Sequence, residues 1–203
     1  MSAPFLQGLF VLGRSPKVWA NATAKMVTYA INPRWAKKYY DLNINEVNDL
    51  IKYGGNLNYT EFTEAMPKLL KFFEDIPLLG KIPQFLFYRS TTAFNSFGDV
   101  ARTELWKSLK RTAKSEEELF ELARSVNRMT GIMSSANIGI GSAQRMAEGL
   151  TIFAPQYTRA GFALLGDMFK GGYTGLQARI AVGQLLTGSA HFYTAISHAM
   201  GQK

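Results

Sequence analysis

Apolar side chains recur at intervals of three and four residues along most of the chain, which is the spacing of one face of an α-helix. Ser15-Pro16 is a favourable helix start, and the face that follows it contains Val18, Ala22, Met26 and Tyr29. No stretch shows the sustained period-two alternation between turn signals that strands would give. The pattern therefore predicts an all-α fold, a multi-helix bundle with one long central helix and a C-terminal helical half rich in small residues.

The long central helix is expected from Gln84 to about Lys110. Its apolar stripe has helical spacing and runs through Phe87, Phe94, Phe97, Ala101, Leu105 and Leu109. A shorter helix before it is predicted to be capped by Asn45, to carry Val47, Leu50 and Ile51, and to end at Gly54-Gly55.

The clearest helix start lies at Ser115, because Ser115 and Glu118 form the S-x-x-E pattern of a capping box. Three more helices are expected, at residues 142–152, 155–169 and 176–198. The sixteen residues from Met129 to Gln144 contain no Lys, Arg, Asp or Glu. We interpret them as a connector between a charged half with an apolar N-terminal arm, residues 1–131, and a small-residue-rich half, residues 132–203, within one structural unit.

Composition argues against most enzyme classes. The 203 residues include no Cys and only two His, which excludes thiol chemistry and leaves little material for a metal site or a Ser-His-Asp triad. Neighbouring carboxylates occur at Glu74-Asp75 and at Glu116 to Glu118, but both sets lie at helix ends without a nearby His. We therefore predict a non-enzymatic protein with no catalytic residues, no metal site and no cofactor.

The net charge of +8 predicts contact with nucleic acid or an anionic surface, since Lys and Arg displace counterions from phosphates. Two clusters are candidate nucleic-acid contacts. The first is Lys107, Lys110, Arg111 and Lys114, and the second is Arg34, Lys37 and Lys38, interleaved with Tyr39 and Tyr40. For the first cluster a structural role is favoured, since its charges complement the negative end of the helix macrodipole and charge runs are usually solvated helix faces.

Two further segments have competing interpretations. Gly139, Gly141 and Ser142 could form an anion-binding helix start, but no strand precedes them and the P-loop Lys is missing, so a helix connector is favoured. Residues 180–202 carry no charged side chain and are long enough to span a bilayer. Their polar and small residues favour a buried or oligomer-forming helix, with membrane contact as the alternative.

Two short motifs resemble the helical region of large phage polyvalent or internal virion proteins, the ejection-type proteins that travel with the genome. The first is VN-x-x-TG, here Val126, Asn127, Thr130 and Gly131, and the second is F-A-P-x-Y, here Phe153, Pro155 and Tyr157. The chain has Thr158-Arg159 where the family tends to have Ser-Arg after the aromatic residue. The resemblance, over roughly residues 60 to 185, implies an all-helical module of phage or mobile-element origin without catalytic machinery.

The function expected from these observations is a structural assembly or genome-ejection module that binds other virion proteins, forms a homo-oligomer and also contacts DNA. The alternative is a membrane-active oligomer that forms or lines a DNA conduit, with membrane contact through residues 180–202. The expected location is the virion or the host cytoplasm, and the host membrane on ejection. We predict no signal peptide, since no basic region precedes the apolar N-terminal stretch.

Overall fold

Helices account for almost all of the chain that can be described. The computed structural model describes residues 8–57, 84–132 and 155–200. Within these ranges the chain forms eight α-helices, one short 3₁₀ helix at Lys110–Thr112 and no strand, as the all-α prediction requires. The α-helices are α1 (Leu9–Arg14), α2 (Pro16–Ile31), α3 (Arg34–Leu42), α4 (Ile44–Lys52), α5 (Gln84–Leu109), α6 (Glu116–Met129), α7 (Pro155–Asp167) and α8 (Gly172–Ala199).

The core is built around α5, which is the predicted long central helix and packs most extensively against α2. The Ser15 hydroxyl caps α2 by accepting a hydrogen bond from the backbone N–H of Val18 at 3.4 Å. All four residues of the predicted α2 face are buried. On α5 the buried stripe includes Phe97, Ala101, Leu105 and Leu109, while the side chain of Phe87 lies outside the described residues.

The predicted capping box at the start of α6 is present in a shifted form. The Ser115 hydroxyl accepts from the N–H of Glu118 at 3.2 Å, as expected. The Glu118 carboxylate, however, accepts from the N–H of Lys114 at 2.6 Å, one residue before the N-cap. Both bonds satisfy backbone donors near the helix start, so the sequence signal marks the correct boundary.

The prediction for α4 was wrong in one detail, its cap. The helix begins at Ile44, so Asn45 lies inside it and is not its cap. Asn43 ends α3 instead, since its side-chain amide donates to the carbonyl of Tyr39 at 2.8 Å. Val47 and Leu50 are buried, whereas Ile51 is half exposed because it lies one residue, and so about 100°, further around the helix.

The C-terminal helices differ from the prediction mainly at their ends. Helix α7 stops at Asp167, two residues early, and α8 begins at Gly172, four residues early. The predicted helix at 142–152 and the glycine-rich segment with Gly139, Gly141 and Ser142 lie outside the described residues.

Helices from both sides of residue 131 pack together. Helix α6 packs against α7 and α8, and α1 docks on α8, as expected for an apolar N-terminal arm. The α1–α8 crossing depends on Gly13, because a Cβ atom there would lie 2.4 Å from the carbonyl oxygen of Ala181. Such a distance is far inside van der Waals contact, so only glycine permits this approach.

We predict that Leu105→Ala lowers the free energy of unfolding by about 2–5 kcal/mol, because the Leu105 side chain is fully buried in the central helix. Urea denaturation followed by helical circular dichroism measures the change. The matched control is Leu42→Ala in α3, where the side chain is mostly exposed and the loss should stay within about 0.5 kcal/mol. Equal losses in the two variants would contradict the assignment of the core.

Candidate functional surfaces

A buried charged network joins three helices. Arg102 and Asp99 on α5 are both fully buried, and an Arg102 Nη1–Asp99 Oδ1 ion pair of 2.6 Å connects them. The hydroxyl of Tyr40 on α3 donates to the other Asp99 oxygen at 2.5 Å. Arg102 Nε donates to the hydroxyl of Thr130, just after α6, at 2.8 Å. Each charge is therefore paired and hydrogen-bonded, as burial requires.

Neither Asp99 nor Arg102 is among the site residues predicted from the sequence. The available signal was two opposite charges three residues apart in a helix that was predicted to be central, because buried charges need partners. The prediction also placed Tyr40 among the outward-facing nucleic-acid contacts. Its hydroxyl is instead committed to Asp99, and burial raises its pKa well above the usual value.

Asn127 of the first motif fixes the turn that ends α4. Its side-chain amide donates to the carbonyl of Gly54 at 2.9 Å, and its carbonyl oxygen accepts from the N–H of Asn56 at 3.0 Å. Gly54 and Gly55 form a Schellman motif with Ile51 and Leu50, through two hydrogen bonds of 2.9 Å. Asn127 therefore has a structural role between α6 and α4.

Thr130 and Gly131 end α6 in a second Schellman motif. The N–H of Gly131 donates to Arg128 at 3.1 Å, and the N–H of Ile132 donates to Asn127 at 2.9 Å. Gly131 has a φ of +79°, the left-handed conformation that this motif needs. The Thr130 hydroxyl lies 2.8 Å from the carbonyl of Val126, which is itself fully buried.

The two sequence motifs meet at Gly131 and Tyr157. A Cβ atom on Gly131 would lie 2.6 Å from Cδ2 of Tyr157, so the glycine permits the ring of α7 to rest on the end of α6. Burial raises the pKa of Tyr157 to about 12. Of the other residues in the second motif, Pro155 is the first residue of α7, Arg159 is partly buried in α7, and Phe153 lies outside the described residues.

A second ion pair joins α6 to α7. Arg128 bonds to the buried carboxylate of Asp167, whose other oxygen lies 2.8 Å from Nζ of Lys170. Because Asp167 has almost no exposed surface, its charge needs these cations. The pair is a second contact between α6 and α7, at the opposite end of α7 from Tyr157.

The first basic cluster is largely used inside the protein. Lys110 forms a 2.8 Å ion pair with Asp49, and Lys107 donates to the side chain of Asn43 at 3.0 Å. Burial alone would raise the pKa of Asp49, but hydrogen bonds from Lys110 and Trp106 outweigh it and hold that pKa below the usual value. Only Arg111 and Lys114 of this cluster have exposed side chains.

The second basic cluster faces outward. Arg34, Lys37 and Lys38 on α3 are all exposed, and none forms an ion pair or side-chain hydrogen bond among the described residues. Trp35, which the sequence analysis did not name as a candidate contact, is the half-exposed aromatic residue between them. Tyr39 is buried and donates to Glu104 at 2.9 Å, so it is not available on this surface.

The last helix changes character halfway along. Ala178, Ala181 and Val182 of α8 are buried against the body of the protein, whereas from Gln184 onward almost every described side chain is exposed or nearly so. A largely apolar groove of about 1050 Å³ lies beside this transition, between α1 and α8. Gly183 and Gly188 line it, and a Cβ atom on either would meet nothing within 4 Å.

We predict that Gly131→Ala destabilises the protein more than Gly54→Ala does. Both glycines end a helix with a positive φ, of 79° and 89°, so each alanine should cost about 1–2 kcal/mol. Only Gly131 meets a neighbouring ring, which should add about 1–3 kcal/mol for overpacking. Urea denaturation measures both, and combining Gly131→Ala with Tyr157→Ala should remove the excess. Equal losses at the two glycines would refute the close contact between the motifs.

We also predict that stability falls as the pH rises from about 10 towards 12. The pKa of Tyr157 is raised to about 12 by burial, so the folded state holds this proton where an unfolded tyrosine, with a pKa near 10, has lost it. Its contribution is therefore fully present below pH ~10 and is lost above it. The urea midpoint at stepwise pH should fall less steeply in Tyr157→Phe than in wild type, and the exposed control Tyr193→Phe should match wild type.

The described part of the chain contains no group of three or more His, Asp or Glu placed to hold a metal ion. In the same ranges no helix combines the length and the apolar character that crossing a membrane requires. A comparison of the chain with protein families, curated proteins and solved structures finds no match.

Proposed function

We propose that this protein is a non-enzymatic structural module that assembles through its last helix, as part of a phage or mobile-element assembly or ejection apparatus. The observation that carries the proposal is the exposed end of α8, residues 184–200, which continues a core helix into solvent. It has no charged side chain, and it exposes Leu186, Tyr193 and Met200 to well over half of their surface. A contiguous uncharged surface of this kind is typical of an interface.

The partner must itself be poor in charge, because an unpaired charge buried against this surface would lose its hydration. A second copy of the chain meets this condition, since its own α8 has the same uncharged end. Two copies related by a two-fold axis would place each α8 against the other. Gly183 and Gly188, with open space over both, let a second helix approach the groove beside α1 closely.

The phage context rests on the two motifs of the resemblance and on nothing else. In the fold these motifs serve a single contact, because Gly131 of the first receives Tyr157 of the second. A shared structural purpose explains why both would occur in one helical module. Asn127 and Thr130 likewise bond to neighbouring helices, so the first motif supports a scaffold role.

The membrane-active conduit is the second candidate, favoured by the same uncharged end of α8. No described helix could cross a membrane alone. This candidate therefore needs the oligomer to form first, and its residues would contact lipid only after assembly. Flotation of the full chain with liposomes, compared with a chain ended after Leu185, separates it from simple protein assembly.

The assembly is tested by light scattering coupled to size exclusion over a range of protein concentrations. Wild type should exceed the monomer mass of 22.6 kDa. Gly188→Leu should weaken the association at least tenfold, because the new side chain fills the groove without a clash inside the monomer. It also replaces a poor helix former, so the fold should be retained.

The matched control is Gly166→Leu on α7, where a Cβ atom also meets nothing within 4 Å but the groove is not involved. Its mass should equal that of wild type. A wild-type monomer at every concentration, or equal effects of the two leucines, would rule out assembly through α8.

A further inference from the structure

We infer that the outward face of α3 is a contact site for an anionic lipid surface. This goes beyond the proposed assembly through α8 and does not depend on it. The site combines the three exposed cations Arg34, Lys37 and Lys38 with exposed apolar side chains in the same short stretch of chain. A peripheral membrane contact requires both kinds of group together.

The orientation of α3 is fixed from its other side. Ala36 and Tyr39 are buried. The hydroxyl of Tyr39 donates to Glu104 of α5 at 2.9 Å, and the hydroxyl of Tyr40 donates to Asp99 of α5 at 2.5 Å. Tyr40 lies on the same inner side. These bonds hold the helix so that the remaining residues face solvent as a set, without any rearrangement on binding.

The cations of this face form no ion pair and no side-chain hydrogen bond with other described residues. Lys107 and Lys110 of the other cluster bond to Asn43 and Asp49, whereas Arg34, Lys37 and Lys38 have no such partner among the described residues. Arg34 and Lys38 are four residues apart, so they lie on adjacent turns. Asp41 is also on this face, and the net charge there is +2.

The apolar side chains decide which anion fits. Trp35 and Leu42 are seven residues apart and share one flank of α3, and they are 48 % and 74 % exposed. Ile31 and Ile44, which flank the helix in the chain, are 65 % and 48 % exposed. A nucleic acid could stack on Trp35 and pair with the cations, but it would leave Leu42 in water.

An anionic bilayer accounts for the cations together with Trp35 and Leu42. Indole rings favour the depth of the lipid headgroups, and Leu42 would enter the acyl boundary beside Trp35. The side chains of Lys38 and Arg34 have long apolar stems. They can therefore place their charged ends among the lipid phosphates while the stems contact the more apolar part of the interface. The contact is peripheral, since the inner side of α3 stays packed on α5.

The experiment is co-sedimentation of the full chain with vesicles of phosphatidylcholine alone or of equal parts phosphatidylcholine and phosphatidylglycerol. We expect binding only to the anionic vesicles and a steep loss of binding with added salt. The Arg34→Gln, Lys37→Gln, Lys38→Gln triple variant should bind on the order of a hundredfold more weakly, at about fivefold per removed charge. Leu42→Ala should bind more weakly while keeping the salt dependence.

The matched control removes three exposed cations elsewhere, in Lys17→Gln, Arg111→Gln, Lys114→Gln, so that the net charge is the same. It should bind nearly as well as wild type. A blue shift of tryptophan emission on binding should be absent in Trp35→Phe, because Trp106 is already fully buried and Trp19 is partly buried. Circular dichroism checks that each variant is folded.

Equal weakening by the two triple variants would overturn the inference, because attraction would then follow net charge and not the α3 face. Loss of binding to a single-stranded oligonucleotide in the α3 triple variant, with vesicle binding unchanged, would overturn it in favour of nucleic acid. The oligomer mass is measured separately, so the vesicle-binding result can be interpreted even if assembly through α8 fails.

Discussion

The arrangement of the bundle depends on one buried guanidinium, that of Arg102. A charge without exposed surface would cost several kcal/mol if it were unpaired, so the fold must bring it Asp99 and further hydrogen bonds. Two of these partners come from other helices, since Tyr40 of α3 bonds to Asp99 and Thr130 after α6 bonds to Arg102. Satisfying one charge therefore fixes the positions of α3 and α6 on α5.

The Arg102–Asp99 pair also affects how α7 and α3 are placed. Thr130 holds the turn that ends α6, which places Gly131 under the ring of Tyr157 and so positions α7. On the other side, Tyr40 orients α3 and turns its cations towards solvent. The α3 face that carries the proposed lipid contact is thus positioned by a polar core, while hydrophobic burial supplies most of the stability.

The sequence predicted the helices well because local signals mark them. Ser15-Pro16 and Ser115 start α2 and α6 where their caps suggest, and helical spacing alone identified the long α5. It failed at Asn45, because Asn43 and Asn45 are both acceptable caps, and it is Asn43 that lies between α3 and α4 with its amide bonded to the carbonyl of Tyr39. The buried pair was not found either, since nothing local to Asp99 and Arg102 identifies Tyr40 or Thr130 as their partners.

The same limit explains why the two basic clusters looked alike in sequence. Each places cations three and four residues apart, but Asn43, which accepts a hydrogen bond from Lys107, and Asp49, which pairs with Lys110, lie 64 and 61 residues away in the chain. Only the fold shows that these charges are used internally and that those of α3 are not. An exposed cation is therefore informative about binding when the fold gives it no internal partner. On α3 such cations lie beside Trp35 and Leu42, where solvation of the charges alone gives no reason for the apolar side chains to be exposed.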